Sequence, residues 1–301
     1  MSRLGKRDHR IRQLHQRIDW SRIVNCFICT TCGTQYAASP TPPARCRVCT
    51  DDRQHVGWNG QHWATHAELS ATHEVRIEED GALLGIGIRG GFAIPQRALL
   101  VPTSIGNVMW DCISLVTQDA IDTIEQHGGI ALIAISHPHF YSAMVEWSDA
   151  LGGVPILLHI ADRDWVMRPS PGIEHWHGDE LTLAGDATLV HLPGHFPGSS
   201  ALHWHDTSNG RRALLTGDSL HVTADRRHVT VMHSVPNYIP VDHTIIHGLQ
   251  RRLAAIDFDD LYGFTWGRNI IGDARHSVEA SLDRYLTAIG RPPETRTIDR
   301  A

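Results

Sequence analysis

Eight residues in this chain stand in patterns that can hold metal ions. His137 and His139 form an H-x-H pair directly after the apolar residues 131–135. His195 follows Pro193-Gly194, just past the strand-like residues 188–192, and Asp218 follows Gly217 at the tip of the apolar run Leu214-Leu215. Three imidazoles and one carboxylate suit Zn²⁺ or Fe²⁺. A lone histidine says little in a chain that has 22 of them. Four such ligands in this order, each just past an apolar strand, say more.

The other four are cysteines. Cys29-Thr30-Thr31-Cys32 and Cys46-Arg47-Val48-Cys49 are two C-x-x-C pairs separated by 13 residues. Each pair can aim two thiolates at one point, and the loop between lets the pairs converge on a tetrahedral S₄ site. Gly33 allows the tight turn after the second thiolate. Zinc suits a structural site of this kind, and rubredoxin-like iron uses the same ligands. A module this small has little core of its own, so bound metal supplies its stability. Its expected role is docking or scaffolding. Cys26 and Cys112 read as small buried hydrophobes.

The elements that must position these residues follow from periodicity. Residues 83–88, 98–102 and 108–113 read as a strand meander, broken by Gly90-Gly91 and Gly106-Asn107. Residues 117–127 have helical spacing and are closed by Gly128-Gly129. Residues 131–136 and 155–160 are almost wholly apolar, as strands buried on both faces are. A helix runs between them to Gly152-Gly153. The second half repeats the style, with strands at 181–183, 188–192, 201–205 and 212–216, a helix at 241–256, a strand at 260–264 and a helix at 274–289. Two similar halves, each a sheet covered on one face, would pack sheet against sheet.

In these residues the chain resembles the metallo-β-lactamase superfamily, from about residue 75 to the C-terminus. That family's signature is H-x-H-x-D-H, then a lone His, a Gly-Asp pair and a last His in a late loop. His137, His139, His195 and Asp218 match it. The resemblance implies an α+β fold, an αββα sandwich with its metal at one edge, and it places Asp111 at the end of an early strand as a structural residue. The departures lie in the second metal position. Tyr141 and Ser142 stand where the motif has Asp and His, and Trp266 or a neighbour replaces the late His. One Zn²⁺ or Fe²⁺ per centre is therefore expected. Tyr141 is a candidate to hydrogen-bond water or substrate, and Arg268 a candidate to hold an anion.

A metal with an open position lowers the pKa of its water, and Asp218 could be a ligand or a general base. The expected activity is hydrolysis of a small ester, thioester or amide. Two other readings stay open: a mononuclear Fe(II) persulfide-dioxygenase-like enzyme, and a pseudoenzyme or interaction protein with a degraded site. Residues 194–198 are expected to shape the pocket floor, Trp165, Trp176 and Trp266 to line it, and residues 162–171 to form a lid or a long loop.

The expected organisation is a basic tail or docking helix at 1–25, a four-cysteine zinc ribbon at 26–56, a connection at 57–74 and the catalytic-type domain at 75–301. A 301-residue chain with 42% hydrophobic and 20% charged residues can bury a large core. A net charge of −6 argues against a globally basic nucleic-acid surface. No membrane span or secretory signal is read, and metal-type cysteine spacing suits a reducing compartment, hence the cytoplasm. A small-molecule substrate is expected, with docking or homo-oligomerisation through the ribbon.

Overall fold

A computed structural model describes residues 26–291. The tail or docking helix expected at 1–25 lies outside them, as do residues 292–301. Among the described residues no helix is long and apolar enough to cross a membrane.

Two sheets form the body. The first has seven strands, and it runs in chain order from Val75–Asp80 through Leu83–Ile88, Ala98–Val101, Val108–Trp110, Leu132–Ala134 and Ile156–His159 to Ile173–Trp176. Its early pairs are antiparallel and its last three are parallel. The second sheet orders Glu180–Ala184, Ala187–His191, Ser200–Asp206, Arg211–Leu215, Asp260–Tyr262 and Asn269–Ile270.

Alternation along these strands creates three apolar layers, because successive side chains point to opposite faces. Ile133 points outward with Met109 and Ile156 onto the helices Gln118–Gln126 and Met144–Ala150. Its neighbours Leu132 and Ala134 point inward and meet Leu189, Leu202 and Leu215 of the other sheet. Leu214 points the opposite way from Leu215 and joins Ile246, Leu249, Val278 and Leu282 of the helices His243–Ala254 and Ala274–Ala288. Helix, sheet, sheet, helix: the molecule is an αββα sandwich, the layering expected from the sequence.

Most strands read from the sequence are present within a residue or two. Val75–Asp80 and Ile173–Trp176 were not anticipated, because half-exposed edge strands with charged residues lack a clean period of two. The strand expected over 108–113 ends at Trp110, since Asp111 takes φ 63° and turns the chain. Residues 57–74 do more than connect. Trp63–Ala64 pairs with Ile28–Cys29, and a capping box of Thr65 and Glu68 starts the helix His66–Thr72.

One polar strap ties the sheets together near the late loop. The buried Arg97 guanidinium donates to Asp80 at 2.5 Å, to the Gly263 carbonyl at 2.7 Å and to Asn269 at 3.0 Å. Asn269 returns a hydrogen bond to Asp80 at 2.7 Å. The strap fixes residues 263–269 against the first sheet.

Candidate metal centre

The parallel strands Val108–Trp110 and Leu132–Ala134 deliver Asp111 and His137 to the same sheet edge. Asp111 is buried, and its carboxylate accepts the Ser136 backbone amide at 2.8 Å. Burial pushes the Asp111 carboxyl up to about 7, against the pull of its Ser136 hydrogen bonds. Its place is the structural one expected from the sequence. Gly217 has φ 52°, and a Cβ there would lie 2.3 Å from the Ser136 hydroxyl and 2.6 Å from its Cβ. Only glycine lets the Gly217-Asp218 turn pass this close to the base of His137.

Loops at the ends of strands from both sheets gather His137, His139, His195 and Asp218, all buried, with one ligand atom of each within 4.8 Å of the others. Ser136 Oγ lies 2.9 Å from His137 Nδ1, leaving Nε2 to face inward. The Met232 carbonyl lies 3.0 Å from His195 Nδ1, which sets that ring with Nε2 inward. His195 Nε2 is 3.0 Å from His139 Nδ1, and Asp218 Oδ2 is 3.5 Å from His137 Nε2 and 3.8 Å from His195 Nε2. A tetrahedral cation with ligands at about 2.0–2.1 Å separates them by roughly 3.3 Å. These spacings bracket that value.

The electrostatics fit a cation. Burial lowers His137 to about 4 and takes His195 well below the usual imidazole range, so these rings are neutral lone-pair donors near neutrality. Burial alone would raise Asp218. The proximity of the His137, His139 and His195 imidazoles outweighs it and holds the carboxyl well below its ordinary range. His137 Nε2, His139 Nε2 and Asp218 Oδ1 are buried without a hydrogen-bond partner. His137 Nε2 is also the atom that faces Asp218 Oδ2, and a buried lone-pair atom left unpaired among three other ligand residues is the mark of a cation site.

The four cysteines meet separately. All are buried, their free thiols unpaired by disulfides, with Cys29 Sγ 3.5 Å from Cys49 Sγ and Cys32 Sγ 3.6 Å from Cys46 Sγ. Zinc–sulfur bonds of about 2.3 Å put tetrahedral sulfurs about 3.8 Å apart. Gln61 donates to Cys29 Sγ at 3.2 Å, and Tyr36 donates to Cys46 Sγ at 3.5 Å. The other three cysteines pull the Cys29 thiol far down while burial drives Cys32 well up, a conflict that a shared cation removes.

The remaining sequence candidates divide. Tyr141 is buried in the apolar layer with Phe140, Met144 and Trp147, and burial pushes its hydroxyl well up. Arg268 is half-buried in the late loop, and its backbone carbonyl accepts the Gly263 amide at 3.0 Å. Neither has a hydrogen bond or ion pair to the four ligand residues. Ser142 takes φ 40°, accepts from Gln96 at 2.9 Å, and gives its carbonyl to the Gln35 amide at 3.2 Å. Trp165 packs on Phe196 beside the centre, with centroids 5.3 Å apart. Trp176 is buried between the sheets instead. Trp266 lies across Gly85 and Gly87 beneath the Arg76 guanidinium, lining a separate cavity of about 330 Å³ with Phe92 and Ile94. At the start of the segment expected as a lid or long loop, Ile160–Trp165 form a 3₁₀ turn.

Three contributors were missed. His221 Nδ1 is buried, unpartnered and 3.8 Å from Asp218 Oδ1. Its spacing three residues after Asp218 was the available signal. Asp162 is buried and accepts the Gly198 amide at 2.8 Å, and burial pushes it up to about 7. Arg53 reaches the His195 carbonyl at 2.7 Å. Neither Asp162 nor Arg53 carried any local signal.

No protein-family model matches the chain. Uncharacterized protein YmaE of Bacillus subtilis (strain 168) is 38% identical over 266 residues, which cover 87% of this chain and 96% of YmaE. Among solved structures, a B3 metallo-β-lactamase with an active-site glutamic acid is similar at a TM-score of 0.48 and 19% identity. The match covers 70% of this chain and 88% of that one. The class B3 di-zinc metallo-β-lactamase LRA-12 from an Alaskan soil metagenome gives 0.46 and 15%, over 71% and 92% of the two chains. TTHA1623 in a di-iron-bound form gives 0.41 and 22%, over 57% and 87%. None of these likenesses speaks to chemistry, which has to come from this chain's own residues.

Proposed function

We propose, for a chain that belongs to the family of the Bacillus subtilis protein YmaE, a metal-dependent hydrolase acting on a small ester, thioester or amide at a centre that holds one cation. The observation that carries this is the convergence of buried ligand atoms from His137, His139, His195 and Asp218, all within 4.8 Å of one another, with His137 Nε2 left without a hydrogen-bond partner.

His137, His139, His195 and Asp218 would hold Zn²⁺ or Fe²⁺, and Cys29, Cys32, Cys46 and Cys49 a structural zinc. A divalent cation in the histidine centre supplies Lewis acidity, acidifying water and polarising a carbonyl. The chain's own part is orientation and proton handling. Ser136 and the Met232 carbonyl fix the His137 and His195 imidazoles so that neither ring must rotate to present its lone pair. Phe140 and Phe196 pack against His137 at 4.3 and 5.7 Å between centroids and keep bulk water from the far side. Asp218 Oδ1, ionised and without a partner, can accept the proton of an attacking water.

The use made of Tyr141 and Ser142 supports a single cation. One is packed in an apolar layer and the other bonded to Gln96 and Gln35, so neither replaces the Asp and His of a second position. A small-molecule substrate and a reducing compartment belong to the same proposal. Buried free cysteines support the latter.

The test is turnover of activated esters, thioesters and amides by zinc-loaded protein, with His195→Ala and Asp218→Ala alongside. Loss of turnover in both variants is expected. Undiminished turnover in either would sink the assignment. Oxygen uptake with a thiol substrate by iron-loaded protein, without hydrolysis, would replace it with the dioxygenase reading.

A further inference from the structure

The cysteine module is not docked at a distance from the histidine centre. The turn after Cys49 runs directly against it. Arg53 is tied into that turn by Asp51, whose carboxylate accepts its backbone amide at 3.0 Å and its guanidinium at 2.7 Å. From there Arg53 Nε donates to the His195 carbonyl at 2.7 Å. The guanidinium lies over the Phe196 ring, 4.4 Å from its centroid. The Phe196 ring in turn packs against His137, His139 and His195 at 5.7, 5.0 and 5.1 Å.

The same turn controls His195 from its other side. The Met232 carbonyl orients the His195 ring, and the residues after Met232 are held by the module. Ser234 donates to the Arg53 carbonyl at 3.0 Å, and Asn237 donates to the carbonyls of Asp52 and Gln54 at 2.9 Å each. His233 pairs with Asp52 at 2.9 Å. The backbone carbonyl of His195 and the partner of its ring are therefore both set by residues 52–54.

We infer that Arg53 is a positioning residue for the histidine centre, through which the four-cysteine module sets the cation affinity of His195 and its neighbours. This rests on the reading that the centre binds a cation. A flat guanidinium serves both contacts at once, with one N–H on the carbonyl and its face on the ring, which a lysine ammonium cannot do. The positive charge behind Phe196 would by itself weaken cation binding, so positioning and simple electrostatics predict opposite signs.

The experiment measures Co²⁺ binding to the histidine centre of the full chain by competition with a chromophoric chelator, the cysteine module keeping its own metal. Arg53→Met is expected to weaken binding about 10- to 100-fold, as losing a residue that orients a ligand does. Arg53→Lys, which keeps one donor but no flat face, should fall in between and carries the test if Arg53→Met does not fold. Arg47→Met, which removes a module contact to the Asp164 carbonyl and the Trp165 ring, is expected to bind as the parent does. Parent-like or tighter binding in the Arg53 variants overturns the inference, and so does an equal loss in Arg47→Met. A parent chain that takes up no cobalt beyond the cysteine-bound ion overturns the hydrolase reading itself, and this inference with it.

Discussion

The molecule has two four-ligand clusters built on opposite logics. The cysteine cluster is local. Its ligands fall between residues 29 and 49, its sulfurs accept from Gln61 and Tyr36, and its backbone is closed by Ile28–Cys29 pairing with Trp63–Ala64. The histidine cluster is assembled by the whole fold. Its ligands fall between residues 137 and 218, on loops from both sheets, and one carboxylate oxygen faces His221 rather than a satisfied partner. A saturated, closed cluster suits a structural ion, and a cluster with an unspent donor suits chemistry. The two should fail differently.

The sharpest separation should come from the ligands. His195→Ala is expected to lower cation affinity at its centre by more than about a hundredfold, the upper range for partners that only orient ligands. The cysteine-bound metal should stay. Elemental analysis of the purified variant reads both. Loss of both ions from this variant would mean that the clusters are one cooperative unit.

Next in size is the strap between the sheets. Asp80→Ala leaves the Arg97 charge buried beside Asn269, and removing one partner of such a pair costs about 3–5 kcal/mol. Chemical denaturation should show that loss. A cost under about 1 kcal/mol would mean that water or Asn269 replaces the carboxylate.

Gly217→Ala should cost about 1–3 kcal/mol through its positive φ and its approach to Ser136. It should weaken cation binding at the histidine centre as well, since Ser136 and Asp218 flank the turn. The smallest effect belongs to the cysteine side. Tyr36→Phe removes a donor to Cys46 Sγ and an acceptor for the Arg47 amide at 2.7 Å. That should cost about 1 kcal/mol and leave turnover unchanged.

The same contrast explains what the sequence could disclose. The cysteine cluster was legible because its spacing is its geometry. The histidine ligands were legible because they follow strands buried on both faces, which leave unbroken apolar runs in the sequence: Leu132, Ile133 and Ala134 before His137, Leu214 and Leu215 before Asp218. What joins the clusters left no such trace. Arg53 meets His195, Arg97 meets Gly263 and Asn269, and Ser234 meets Arg53 only after folding has brought distant segments together. Their side chains read alone as surface arginines and a loop serine. Tyr141 was open to two readings, and burial in the apolar layer favours packing.

The central claim is one cation in a histidine centre beside a separate cysteine-bound ion. Metal content of anaerobically purified full-length protein, before and after a thiol-specific mercurial displaces the cysteine-bound metal, tests it most directly. The account predicts two ions per chain, one released by the mercurial and one retained until His195 is replaced. Three ions per chain, or none left after the mercurial, would contradict it.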